Sequence, residues 1–146
     1  MIKIDQAKSI HLNDLALLFD AYRVFYNSPS DINGALAFLQ ERISNGDSVI
    51  YIAYIEEIAV GFTQIYPMFS SVSMQRLFVL NDLYVHPNYR GKGIGEALLN
   101  IGKKYTIDNQ GKSLIFETAK DNPAQKLYER LGWKKYLDFF HFTWTP

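Results

Sequence analysis

The chain is 146 residues long, 48% hydrophobic and 21% charged, the composition of one globular domain spanning 1–146 rather than of a disordered segment. Fifteen Lys and Arg balance fifteen Asp and Glu, so no global field draws nucleic acid or an anionic membrane, and recognition by charge must be local. The absence of cysteine excludes disulfides, thiolate metal sites and a cysteine-bound acyl group, and His11, His86 and His141 are too scattered to suggest a metal.

Ile2 to Ala7 reads as a short strand. Leu12, Leu15, Phe19, Tyr22 and Tyr26 recur at helical spacing, with Asn13 or Asp14 as the cap. Ser28-Pro29-Ser30 breaks the chain, and a second helix carries Ile32, Leu36, Leu39 and Ile43 before the Asn45-Gly46 stop. Ser48 to Ile55 and Ala59 to Tyr66 read as antiparallel neighbours joined by a tight turn at Glu56-Glu57. Ser73 to Val85 is a third strand, ended by His86-Pro87-Asn88. After a glycine-rich loop, Ile94, Ala97, Leu98, Ile101 and Tyr105 mark a helix closed by Gly111. Leu114 to Ala119 reads as a strand, Pro123 to Leu131 as a short helix stopped by Gly132, and Trp133 to Trp144 as one or two final strands. The expectation is an α+β fold with a mixed, mostly antiparallel sheet flanked by helices. No segment reads as a signal peptide or a membrane span, so a cytoplasmic protein is expected.

The loop Arg90-Gly91-Lys92-Gly93-Ile94-Gly95 lies between a strand and a helix. The first N–H groups of a helix have no partners and its dipole favours anions, so three glycines and two cations there form a phosphate site. A P-loop is rejected because no Gly-Lys-Ser/Thr follows at the required spacing. A dinucleotide fingerprint, with Glu117 as the ribose acid, is rejected because Gly93-Ile94-Gly95 breaks its spacing and too little chain follows. The bland alternative is a glycine-capped helix; three glycines interleaved with Arg90 and Lys92 are an uncommon way to start one.

Leu83-Tyr84-Val85 followed by Arg90-Gly91-Lys92-Gly93-Ile94-Gly95 resembles the Arg/Gln-x-x-Gly-x-Gly/Ala signature of the GNAT superfamily of N-acetyltransferases. Asp121-Asn122-Pro123-Ala124 and Leu127-Tyr128-Glu129-Arg130-Leu131-Gly132-Trp133 resemble its later block, and the element order agrees along the chain. Gly61-Phe62-Thr63-Gln64 and Asn81-Asp82-Leu83 are similar to the polyamine and histone (Hpa-like) branch. The resemblance implies transfer of acetyl from acetyl-CoA to a primary amine by direct attack in a ternary complex. It implies that coenzyme A is held by Leu83, Tyr84, Val85, Arg90, Gly91, Lys92, Gly93, Ile94, Gly95, Glu96, Asn122 and Tyr128. Backbone groups on Leu83 to Val85 would serve the thioester oxygen, where a bulge splays this strand from the next. Asn122 is preferred over Asp121 for the pantetheine arm.

A lysine-like amine has a pKa of about 10.4, so at neutral pH only roughly one molecule in a thousand can attack. Asp82 is the first choice of base and Glu117 the second, although strand carboxylates are more often solvated or salt-bridged. The branch often carries a glutamate where Asn81 stands, and an amide cannot be a base. Tyr128 resembles the family's general acid, against a plain reading as a core aromatic between Leu127 and Leu131. Tyr22, Tyr26, Tyr66 and Asp82 are the expected acceptor contacts, with Arg23, Phe25, Phe69 and Phe140 as further candidates, while Tyr22 and Tyr26, on the apolar stripe of the first helix, fit core packing at least as well. The resemblance leaves the acceptor open among a polyamine or other small amine, a free amino acid and a protein amine. A non-catalytic acyl-CoA sensor or assembly module is the rival reading. The run Phe139-Phe140-His141-Phe142 is either a strand exchanged in a homodimer or a buried core strand.

Overall fold

The computed structural model describes residues 1–146. Runs rich in β-branched and aromatic residues form strands β1 (Ile2–Gln6), β2 (Val49–Ile55), β3 (Ile58–Ser70) and β4 (Gln75–Val85), with a short β5 (Leu114–Ile115). Segments with apolar residues at helical spacing form α1 (Leu12–Phe25), α2 (Ile32–Asn45), α3 (Ile94–Asp108) and α4 (Gln125–Arg130). The sheet order is β1-β2-β3-β4-β5, antiparallel until β5 joins β4 in parallel. β2 turns into β3 through Glu56 and Glu57, at φ 48° and 67°, the left-handed pair that a two-residue hairpin loop requires.

Helices α1 and α2 cover one face of the sheet, where Leu15, Phe19, Leu39, Ile52, Phe62 and Tyr84 pack together. Helix α3 covers the other, its Leu99 against Ile65, Phe78 and Leu80 at one end and its Ile94 and Leu98 against Ala53 and Val60 at the other. The α1–α2 connection is pinned by the buried Asp20, which accepts from Ser30 Oγ and the Asp31 N–H, both at 2.7 Å. Those donors hold the Asp20 carboxyl below the ordinary carboxylate range. The Asp31 side chain then caps α2 by accepting from the Gly34 N–H at 2.9 Å, and Gly46 ends the helix at φ 65°.

Most expected elements form, and three differ. Helix α1 starts at Leu12 after a 3-10 turn at Ser9–His11, so neither Asn13 nor Asp14 is its cap. The strand expected over 114–119 keeps only Leu114 and Ile115, because their partners Phe78 and Val79 are the last β4 residues within reach. No strand forms over 133–144, and Tyr136, Leu137, Phe139, Phe140, Phe142 and Trp144 are exposed. An alternating apolar pattern asks for a face to bury, but a strand also needs an edge to pair with, and β5 ends too early to supply one.

One irregularity sets the geometry of the site. Gln64 pairs with Asp82 and Ile65 with Leu80, so Asn81 is an extra residue in β4, a bulge. Side chains alternate along a strand, and the extra residue reverses the alternation. Before it, Phe78 and Leu80 face α3; after it, Tyr84 packs on the α1 side and Leu83 and Val85 turn to α3. The bulge lies in the β3–β4 ladder, which stays paired on both sides of it. The parting of β4 and β5 begins one step earlier, after Val79.

Gly61 lets α3 approach the sheet at this end. A Cβ there would lie 2.7 Å from the Tyr84 carbonyl oxygen and 3.3 Å from Ile94 Cγ2. Gly61→Val should lower stability by roughly 1–3 kcal/mol through overpacking, read by urea denaturation. An unchanged midpoint would show that the contact is not limiting.

Candidate functional site

The chain leaves β4 at Val85, makes a 3-10 turn at Pro87–Tyr89 and enters α3 through Arg90 to Gly93. Gly91 and Gly93 sit at φ 74° and 82°, and a Cβ on either would point into open space. The left-handed backbone, not crowding, is what calls for glycine here. The first helical bond of α3 runs from the Ala97 N–H to the Gly93 carbonyl at 3.0 Å, and no side chain caps the helix. The N–H groups of Ile94, Gly95 and Glu96 are thus free of helical partners, while the Ile94 side chain is buried and anchors the turn. Arg90 Nε donates to the Val85 carbonyl at 3.0 Å, and its guanidinium lies over Phe25 and Tyr84 at 5.7 and 6.0 Å. Lys92 Nζ stands 5.1 Å over the Tyr89 ring. Left-handed glycines, unpaired N–H groups and two exposed cations suit a pyrophosphate. The Glu96 carboxylate is turned to Arg130 of α4 at 2.8 Å, so of Glu96 only the backbone is available to an anion.

Beside this helix start, β4 and the chain after β5 diverge and leave a cleft. An inner pocket of about 80 Å³ is lined by Tyr22 and Tyr26 of α1, Asn81 and Leu83 of β4, and Glu117 and Tyr128 opposite. It continues through Tyr26, Glu117, Thr118 and Asn122 into an outer pocket of about 550 Å³ bounded by Phe25, Asp121 and Pro123. The His86 N–H donates to the Val60 carbonyl on β3 at 2.8 Å. By alternation, the backbone groups of Leu83 and Val85 face the opposite edge, where β5 has ended.

Across the cleft, Asn122 Nδ2 donates to Thr118 Oγ1 at 2.7 Å and Asn122 Oδ1 accepts from the Ala124 N–H at 2.9 Å. The Tyr128 hydroxyl joins Thr118 and Asn122, and its ring meets Phe116 edge-on at 4.6 Å. Burial raises the Tyr128 phenol above its ordinary value, against the lowering pull of Thr118 and Asn122. The phenol therefore holds its proton at neutral pH.

Asp82 is only 6% exposed and lies behind the cleft wall. Its Oδ2 accepts from Gln64 Nε2 at 2.7 Å and its Oδ1 from Asn81 Nδ2 at 3.0 Å. The Tyr22 hydroxyl reaches the same carboxylate from α1. Loss of water raises the Asp82 pKa, and the three donors oppose that rise in part. Glu117 is the opposite case: its side chain is 80% exposed, at the cleft mouth, with His141 Nε2 at 3.3 Å.

The structure thus brings Tyr22, Tyr26, Leu83, Glu117, Asn122 and Tyr128 to one cleft, with the Arg90–Gly95 loop beside it. Tyr84 is instead a core side chain. Tyr66 lies near Asp82, whose charge helps to raise its phenol after burial. Phe69, at the far end of the β3–β4 hairpin opposite Arg76, and Phe140, 90% exposed, do not line the cleft. Thr118 and Phe116 escaped the sequence reading, and only their place after a strand could have flagged them. Asn81 was read as a lost base, whereas it is the bulge residue that donates to Asp82.

Comparison with known proteins agrees with this geometry. The acetyltransferase (GNAT) domain profile matches residues 46–135. The chain is 45% identical over 142 residues to YhfO, an uncharacterized N-acetyltransferase of Bacillus subtilis, covering 97% of this chain and 95% of that protein. It is 30% identical to a probable acetyltransferase of Haemophilus influenzae, over 88% of this chain and 97% of that one. A crystal structure of a probable acetyltransferase superposes with a TM-score of 0.92 at 36% identity, covering 99% of this chain and 97% of that chain.

Because burial raises the folded pKa of Asp82 above its ordinary 3.8, its contribution to stability is complete below that value. It is lost as pH rises through the raised folded value. The Tm of Asp82→Asn relative to the native chain should therefore improve as pH rises from about 4 toward 7. Parallel Tm curves would contradict the raised carboxyl.

Proposed function

Because this chain belongs to the GNAT family of acetyltransferases, we propose that it moves an acetyl group from acetyl-CoA to a primary amine by direct attack in a ternary complex. The observation that carries the proposal is the meeting of an uncapped, left-handed-glycine helix start with a cleft that ends on the Tyr128 hydroxyl. Acetyl-CoA supplies the activated thioester; the chain supplies position, charge and protons.

The Arg90–Gly95 backbone holds the pyrophosphate, with Arg90 and Lys92 adding charge, and the parted edge at Leu83 and Val85 accommodates the extended pantetheine. Asn122 is the better pantetheine contact, since it lines both pockets whereas Asp121 borders only the outer one. Backbone N–H groups on that edge serve the carbonyl oxygen as charge builds on it. Tyr128, whose phenol keeps its proton at neutral pH, donates it to the departing sulfur and is reprotonated by the N–H proton that the nitrogen sheds as the amide forms. The amine arrives past Glu117, whose exposed carboxylate offers a counter-charge to an ammonium. The chain contains no cysteine to hold the acyl group, which favours direct transfer.

A CoA-release screen with spermidine, free amino acids and a lysine peptide tests the activity and its acceptor. Tyr128→Phe should lower kcat about 10²-fold and leave acetyl-CoA affinity nearly intact, whereas equal loss of both would remove Tyr128 from the acid role. Gly93→Val forces a β-branched residue to a left-handed φ, and should weaken CoA binding by about tenfold or more in calorimetry. CoA binding with no release for any amine would instead identify a sensor.

A further inference from the structure

We propose that Tyr22 carries a proton from the acceptor amine to the buried Asp82 carboxylate, so that Tyr22 rather than Asp82 meets the amine. The inference rests on the amine-acetylating reading above and assigns its missing base. Tyr22 lines the inner pocket together with Asn81, Glu117 and Tyr128, and Asp82 does not. Asp82 has no opening of its own to the cleft, yet the Tyr22 hydroxyl reaches its carboxylate.

The arrangement around the pair is fixed from behind. Ser48 Oγ donates to Gln64 Oε1 at 2.8 Å, which settles the orientation of that buried amide and presents its Nε2 to Asp82. Thr63 Oγ1 donates to the Asp82 carbonyl at 2.8 Å and holds the backbone of the same residue. The Tyr22 ring is clamped edge-on against Phe62 at 5.6 Å, Tyr84 at 6.1 Å and Tyr26 at 5.1 Å. Gln64 and Ser48 are positioning residues; Tyr22 is the group that touches substrate.

The step balances without any co-reactant. An ammonium N–H bond breaks as its proton passes to Tyr22 Oη, and the Tyr22 O–H bond breaks as that proton passes to Asp82. The amine keeps the freed electron pair for attack, Tyr22 stays neutral, and Asp82 later returns the proton to solvent by the same route, through the Tyr22 hydroxyl. Burial raises the Tyr22 phenol, which disfavours a free phenolate and couples the two transfers. Burial also raises Asp82, which makes it a readier proton acceptor. The titratable and charged groups around the pair are Tyr26 on α1, Tyr66 on β3 with Arg42 and Asp47 beyond it, and Glu117 and Tyr128 across the cleft. Glu117, open to water at the mouth, attracts the cation instead of taking its proton.

Tyr22→Phe keeps the ring packing and removes only the hydroxyl, and acceptors are spermidine, glycine and the lysine peptide. With the amine that the native chain acetylates, kcat/KM for amine should fall about 10²-fold at pH 7, with acetyl-CoA affinity unchanged. The gap should close to under about tenfold by pH 9.5, where more of the amine is already neutral. Glu117→Gln should raise the amine KM with little change in kcat. A constant gap from pH 7 to 9.5, or a loss under about threefold, overturns the shuttle. A second readout needs no turnover: the Asp82 carboxyl carbon, followed by NMR, should titrate at higher pH in Tyr22→Phe because a donor has gone. An unmoved midpoint also overturns the proposal. Failure of the native chain to acetylate any amine counts against the proposed function itself, while the NMR midpoint still decides the Tyr22–Asp82 link.

Discussion

The extra residue at Asn81 is the constraint on which the rest of the site depends. A regular β4 would carry one set of side chains to α3 and the other to α1 along its whole length. With Asn81 inserted, Phe78 and Leu80 serve the α3 core while Asp82 and Tyr84 pass to the α1 side. That reversal delivers a carboxylate to Tyr22 and Gln64 and turns Leu83 toward the cleft. A bulge leaves one residue unpaired and bends its strand, and here the bend coincides with the end of pairing to β5. The burial of Asp82 follows from this local departure from the ladder, and the cleft opens beside it.

Opposed forces explain why two carboxylates so near each other behave differently. Asp82 loses its water and recovers only part of that loss through Gln64, Asn81 and Tyr22, so its charge is held in an unfavourable place. Glu117 keeps its water and is available to charged visitors. Tyr128 is placed by the same reasoning: Phe116 and Trp133 shield its ring while Thr118 and Asn122 reach its hydroxyl. Protonated phenol and open carboxylate thus line one small pocket, with the buried carboxylate behind its wall, and access to water sets their differences.

The helix start at Gly93 was legible in the residues because left-handed glycines and interleaved cations have few other uses. Tyr128 stood out through its block, while the spacing left Asn122 and Asp121 both open; Asn122 and Tyr128 meet in one cluster with Thr118. The family resemblance was legible too, and the match over 46–135 carries it. The bulge was not, because nothing in Leu80-Asn81-Asp82 distinguishes an unpaired residue from a paired one; register is a property of two strands. Asp82 was therefore read as base and acceptor contact with no sign that its side chain lies behind the cleft wall. The C-terminal pattern misled for a related reason. Its alternation over 133–144 described side chains suited to a sheet without describing an edge to receive them.

The two walls of the cleft come from separate stretches of chain. The wall that holds the glycine loop, Glu117, Asn122 and Tyr128 falls within the family match, while Tyr22 and Tyr26 precede it, on a helix that leans on the sheet through Phe62 and Tyr84. Helix α1 contacts the sheet through rings rather than through a hydrogen-bonded ladder, and its junction to α2 closes on itself through Asp20, Ser30 and Asp31. This makes the first helical hairpin an exchangeable part. Its inward residues can be rewritten without disturbing the backbone of the glycine loop, so one wall of the cleft can change shape while the other keeps its form.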